Sequence, residues 1–206
     1  MNKSSIAIVA LLALIGGFSI SWYLSSNKPV ELEAGLWFGE QARALPDFEL
    51  IDHHGQVMNR ATLSGKWSLM FFGYTHCPDI CPATLQTLSD LTNAIEDPDV
   101  GKAVRIYFVS VDPERDNAET LASYVTYFNP GFTGATAVME KLTLLTSALG
   151  IAHDTRNKTG DIPGYDVDHS SAIVLINPQA EFAGLFSAPH DPLAMARDLT
   201  RIVEYN

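Results

Sequence analysis

Residues 67–74, Trp-Ser-Leu-Met-Phe-Phe-Gly-Tyr, are apolar, aromatic-rich and uncharged, the composition of a short strand buried in a sheet. Shortly beyond them Leu85, Leu88, Leu91 and Ile95 recur at helical spacing, with Pro82 tolerated in a first turn. A buried strand feeding a helix commits this chain to a layered α/β arrangement. The junction, Thr75-His76-Cys77-Pro78-Asp79-Ile80-Cys81-Pro82, holds both cysteines of the 206-residue sequence. Positions i and i+4 on a helical turn lie roughly 6 Å apart at Cα, inside the range of about 4.4–6.8 Å that a disulfide tolerates. The positive end of a helix also favours the thiolate, the form that binds metal or attacks disulfides. Three residues separate these cysteines, whereas a thioredoxin-type redox motif has two. The pair alone is a structural staple, a redox dithiol or half of a metal site.

The rest of the chain extends the layered pattern. Residues 45–51 and 57–59 flank His54-Gly55 as a hairpin. Val104 to Val111 is a second buried strand, and Ala118, Leu121, Val125 and Phe128 mark a helix capped by Asp116 or Asn117. Leu142, Leu145 and Leu149 mark another, closed by Gly150. Asp154 to Asp168 is polar and long for a connection, and long loops are commonly functional or mobile. Residues 171–176 and 181–186 form a hairpin, and Asp191-Pro192 opens a last helix ending near Tyr205. The order β-α-β-α-α-β-β-α predicts a three-layer α/β/α sandwich around a central mixed sheet.

The N-terminus sets the compartment. Ile6 to Leu24 is nearly all apolar, with Lys3 ahead of it and Trp22 and Tyr23 at its end. Its length approaches the roughly 20 residues that span a bilayer, beyond the apolar core of about 7–15 residues in a cleaved signal. The expected organisation is a membrane anchor over residues 1–24, a linker over 25–44 and one domain over 45–206. A positive N-terminal flank predicts an inner-membrane, single-pass protein with a cytoplasmic N-terminus and a periplasmic domain. The net charge of −11 and the lack of a Lys/Arg cluster argue against nucleic acid as a partner. In an oxidising compartment, a chain this long does not need its only cysteine pair in order to fold.

A metal site needs a third donor, and histidine is the natural one. His53 and His54 fall in a hairpin turn, His76 is expected to point away from the pocket, and His153 and His190 read as polar surface residues. His169, in Val167-Asp168-His169-Ser170-Ser171, ends the polar loop and is read as opening a buried strand. It is either the third ligand or a plain strand-edge histidine. Asp79, Asp112 and Asp168 read as structural carboxylates, with Arg115 the expected partner of Asp112 and His169 that of Asp168. Tyr165 and Met139 read as packing residues.

Three blocks together carry a resemblance: Gly73 to Pro82, Val109-Ser110-Val111-Asp112-Pro113-Glu114-Arg115-Asp116, and Val167 to Ser171. In this order they closely resemble the signature blocks of the Sco/SenC proteins, over about residues 40–205. The resemblance implies a thioredoxin-like fold behind a transmembrane helix, copper as the metal, and Cys77, Cys81 and His169 as its ligands. It implies a metallochaperone that helps assemble the dinuclear copper centre of cytochrome c oxidase, with the copper-bearing subunit as partner. Cu(I) is the expected form, with Cu(II) accepted when a further donor is added. Other periplasmic copper carriers or thiol reductants are the remaining partners. The alternative is a thiol-disulfide oxidoreductase that reduces the target cysteines through Cys77 and Cys81 without carrying copper. A peroxidase-like reading leaves His169 unexplained.

Overall fold

All seven residues of β5 (Trp67–Gly73) are buried, and the sheet is assembled around this strand. The computed structural model describes residues 14, 16–18, 31–156 and 166–205, with 153–156 and 166–169 described by their backbone. The chain divides into two units, Met1–Glu31 and Leu32–Asn206. In the first, residues 14 and 16–18 are helical; the rest of the expected Ile6–Leu24 anchor lies outside the described residues. No helix among the described residues is long and apolar enough to cross a membrane.

In the second unit, β1 (Gly35–Trp37) and β2 (Arg43–Ala44) precede the hairpin of β3 (Leu50–Asp52) and β4 (Val57–Met58). A short α1 (Arg60–Leu63) leads into β5, and α2 (Ile80–Ala94) and α3 (Pro98–Ala103) precede β6 (Val104–Ser110). Then come α4 (Ala118–Phe128), β7 (Thr133–Thr136), α5 (Met139–Leu149), β8 (His153–Arg156) and β9 (Asp166–His169). The fold closes with β10 (Ile173–Ile176), β11 (Glu181–Phe186) and α6 (Pro192–Tyr205). The nine-stranded sheet runs β1-β11-β10-β5-β6-β7-β3-β4, with β2 also on β11. β5, β6 and β7 are parallel, Gly73 lying opposite Ser110, while β10 is antiparallel to both β5 and β11. The C-terminal ends of β5, β6, β7 and β11 and the start of β10 therefore share one edge, the edge at which open α/β sheets place their sites.

Alternation along the strands makes two cores. Met70, Phe72, Val109, Val174 and Ile176 meet Leu142, Leu145 and Leu149 of α5 on one face. Leu69, Phe71, Phe108, Ile173 and Leu175 meet α2, α4 and α6 on the other. Each large side chain so buried contributes about 1.5–3 kcal/mol. α5 stops at Gly150, whose φ of 69° lets its N–H reach the carbonyls of Thr146 and Ser147. This is the expected mixed-sheet sandwich.

Several elements depart from the sequence reading. Residues 35–44, assigned to a linker by composition, form β1 and β2 against β11. The loop from Asp154 to Asp168 carries two paired strands, β8 and β9, with His153 opposite His169. His169 therefore ends a strand instead of opening one, and β10 begins at Ile173. The reason is local: the Ser170 N–H bonds the Ala152 carbonyl at 3.1 Å, which continues the β8–β9 pairing and not the central sheet.

Candidate metal centre

β5 ends at Gly73, and the chain turns so that the Cys77 N–H donates to the Tyr74 carbonyl at 3.3 Å. α2 starts at Ile80, which places Cys81 in its first turn and Cys77 just ahead of it. The Cys81 N–H points at Cys77 Sγ, 3.4 Å away. An amide donor at a helix start is a favourable neighbour for a sulfur carrying negative charge. The two sulfurs are not joined in a disulfide; Cys81 is buried and Cys77 half-buried against both cores.

Cys81 fits there because residue 73 is glycine. A Cβ on Gly73 would collide with Cys81 Sγ and stand 3.0 Å from the Phe108 ring. The enclosure has an electrostatic consequence. Burial pushes the Cys81 thiol up, a hydrogen bond with the Tyr74 backbone opposes this, and nearby Cys77 adds to the rise. At Cys81 desolvation therefore outweighs the helix end, and the expected thiolate is a thiol until a cation replaces its proton.

A buried carboxylate braces the turn. Asp116 accepts from the Thr75 N–H at 2.9 Å, from Thr75 Oγ1 at 2.6 Å and from Ser110 Oγ at 2.6 Å. Thus Asp116 ties the cysteine turn to the end of β6, while Asn117 takes the capping role by accepting from the Thr120 N–H. Asp112 pairs with Arg115 as expected, and the guanidinium lies 5.5 Å from the Tyr74 ring centroid. Asp79 is exposed and makes no capping bond from its side chain. The sequence hints at this brace only through Ser110-Val111-Asp112, since the link from Asp116 to Thr75 exists only in the folded chain.

Of the histidines, His76 is exposed, with Nδ1 3.1 Å from Thr75 Oγ1. His53 does more than its turn position suggests: its Nδ1 accepts from the Gly134 N–H at 2.9 Å. His190 Nε2 lies 2.9 Å from the Ser171 carbonyl, just before β10. Met139 opens α5 and is partly exposed. The backbone of His169 closes β9; its side chain, that of Asp168, and Tyr165 lie outside the described residues. Among the described residues no cluster of three metal-ligating side chains occurs. What the described residues bring together is two sulfur donors, one buried and one accessible, on a braced turn.

The SCO1/SenC family profile matches residues 39–204. The mitochondrial SCO2 homolog of Mus musculus is 40% identical over 159 residues, covering 77% of this chain and 59% of that protein. A SCO2-like protein of Rickettsia felis is 29% identical over 196 residues, covering 93% of this chain and 94% of its own length. Among solved structures, Arabidopsis thaliana ScoI with copper bound superposes with a TM-score of 0.69 at 32% identity, covering 78% of this chain and 99% of that one. Yeast Sco1 with copper bound gives a TM-score of 0.72 at 26% identity, covering 79% and 89%. The profile match spans both cysteines, the Asp112–Asp116 segment and His169, and on that ground the chain belongs to the SCO1/SenC family.

Proposed function

We propose that this protein is a copper metallochaperone in which Cys77, Cys81 and His169 hold the metal. The carrying observation is the pair of sulfurs on the braced turn, in a chain whose relatives of similar fold have been seen with copper bound. The donor chemistry fits. Thiolates suit the soft Cu(I) ion, and an imidazole suits either oxidation state. Copper replaces the proton that burial retains on Cys81, so loading the site removes the cost of ionising a thiol in an apolar surround. The Cys81 N–H supports the charge on Cys77.

Half-exposed Cys77, with Asp79 and Ile80 exposed beside it, is the end from which copper leaves by ligand exchange. The acceptor we propose is the copper-bearing subunit of cytochrome c oxidase. The N-terminal segment would anchor the protein in the inner membrane, with the copper domain in the periplasm. A second role is favoured by the asymmetry of the pair: the accessible Cys77 sulfur attacks a target disulfide to form a mixed disulfide, and Cys81, its proton passing to the departing target thiolate, closes the Cys77–Cys81 disulfide and releases the reduced target.

Copper content of the reduced protein tests the first reading. One copper ion per chain is expected, with loss of binding in Cys77→Ser and in Cys81→Ser. A reduced wild type that takes up no copper while retaining its dithiol exchange would leave only the second role.

A further inference from the structure

His169 closes β9, and a short corner, Ser170 to Ala172, leads from it into β10. β8 and β9 pair only with each other, so no ladder of the central sheet sets the place of His169. Within the corner the Ser170 N–H bonds the Ala152 carbonyl at 3.1 Å, and the Ala172 N–H donates to Ser170 Oγ at 3.2 Å. A further tie comes from beyond β11: His190 Nε2 lies 2.9 Å from the Ser171 carbonyl. Ile173 pairs with both Phe71 and Phe186, so two residues back along β10 and two onward along β5 bring Ser171 level with Gly73. Gly73 is the residue against which Cys81 Sγ packs. The corner therefore sits on the sheet edge that carries the sulfurs.

The His190 ring is half-buried and springs from a fixed point. Asp191, next in the chain, accepts from the Leu193 and Ala194 N–H groups through its side chain and from the Met195 N–H through its carbonyl. A carbonyl only accepts, so Nε2 carries the hydrogen and donates to Ser171. Nδ1 is buried and has no hydrogen-bond partner among the described residues. Burying a polar atom unpaired is unfavourable, so packing alone does not call for a histidine here, whereas the bond to Ser171 does. We infer that His190 is a positioning residue of the metal centre: its bond to Ser171 fixes the corner two residues from His169 and holds that histidine in reach of Cys77 and Cys81. Removing a group that orients a metal ligand weakens metal affinity by about 10–100-fold. This inference rests on the ligand role of His169 proposed above.

His190→Ala removes the donor, and His190→Gln restores an N–H at the position of Nε2. Four quantities are read on the full chain: Cu(II) affinity, Cu(I) affinity, the electron paramagnetic resonance spectrum of the Cu(II) form, and formation of the Cys77–Cys81 disulfide. For His190→Ala the expected result is a roughly tenfold weaker Cu(II) affinity, a weaker nitrogen coupling in the spectrum, a smaller change for Cu(I), and unchanged disulfide formation. His190→Gln should recover both the affinity and the spectrum. If His190→Ala binds Cu(II) with wild-type affinity and spectrum, or if His190→Gln is as impaired as alanine, the inference is overturned. Loss of both copper affinities together with disulfide formation in His190→Ala would also overturn it, because that is the mark of a general disturbance of the fold. His169→Ala separates this inference from the reading beneath it. If that variant keeps full Cu(II) affinity, the ligand role and this inference fall together; if it loses Cu(II) and His190→Ala does not, only this inference falls.

Discussion

Gly73 and Cys81 share a space that accommodates only one side chain, and this fixes where the buried sulfur sits. Gly73→Ala should destabilise the reduced protein by about 1–3 kcal/mol, the usual cost of overpacking, in chemical denaturation. It should also weaken copper binding, because Cys81 must shift to admit the methyl group. Purified protein left in air should show no titratable thiol until reduced, since Cys77 and Cys81 are the only cysteines and share one helical turn. Two thiols that persist under oxidant in folded protein would mean that the sulfurs cannot meet. His53 gives a pH dependence. Desolvation holds its imidazole below the ordinary histidine range, with His54 beside it adding to the effect, and the neutral ring accepts from Gly134. The unfolded chain therefore takes up this proton first as pH falls. The stability contribution is complete above the ordinary histidine range near pH 6.5, and is lost as pH drops through the lower folded value. Denaturation midpoints between pH 7.5 and 5 should fall less steeply in His53→Ala than in the wild type. Equal slopes would remove His53 from this dependence.

At the scale of elements, the long strands and helices were legible because burial imposes a period on them. β5, β6, β10, β11, α2, α4 and α6 all carry apolar residues where the sheet and its layers require them. β7 was not legible: Thr133-Gly134-Ala135-Thr136 is short and small, and it is a strand because β6 and β3 flank it. β8 and β9 leave no apolar period in the sequence because they pair only with each other and carry polar sequences. β1 escaped because its anchor lies at the far end of the chain. Asp198, fully buried on α6, accepts from the backbone N–H groups of Glu33, Ala34 and Gly35 at 2.8–3.0 Å, and Arg201 approaches it from the same helix. Removing that carboxylate leaves three part-buried backbone donors without their acceptor, while Arg201 keeps its pairing with Glu33. Asp198→Ala should cost about 3–5 kcal/mol, measured by denaturation, with the largest gain in amide exchange at β1. Exchange that rises evenly over the whole sheet would show that β1 is not held by this contact. The cysteines were legible from their spacing and their place after β5. Asp116 was not, since its role arises only where the approach to α4 meets the cysteine turn at Thr75.

At the scale of the whole molecule, the proposed function calls for a membrane anchor at the N-terminus and a copper domain outside the cytoplasm. A reporter fused at the C-terminus should be active only in the periplasm, and the mature protein should retain its N-terminal segment. Recovery of a soluble form cleaved near residue 25 would contradict the anchor and leave the copper site untouched. Within the proposed ligand set, His169 is the member that separates copper carriage from dithiol chemistry. The most direct measurement is copper affinity in both oxidation states for the wild type and His169→Ala. Cu(II), which favours nitrogen, should be largely lost, whereas Cu(I) should be weakened less because two thiolates still hold it. Disulfide formation between Cys77 and Cys81 should survive the substitution. Equal affinities in the two proteins for both oxidation states would contradict the account, and would favour the dithiol role over copper carriage.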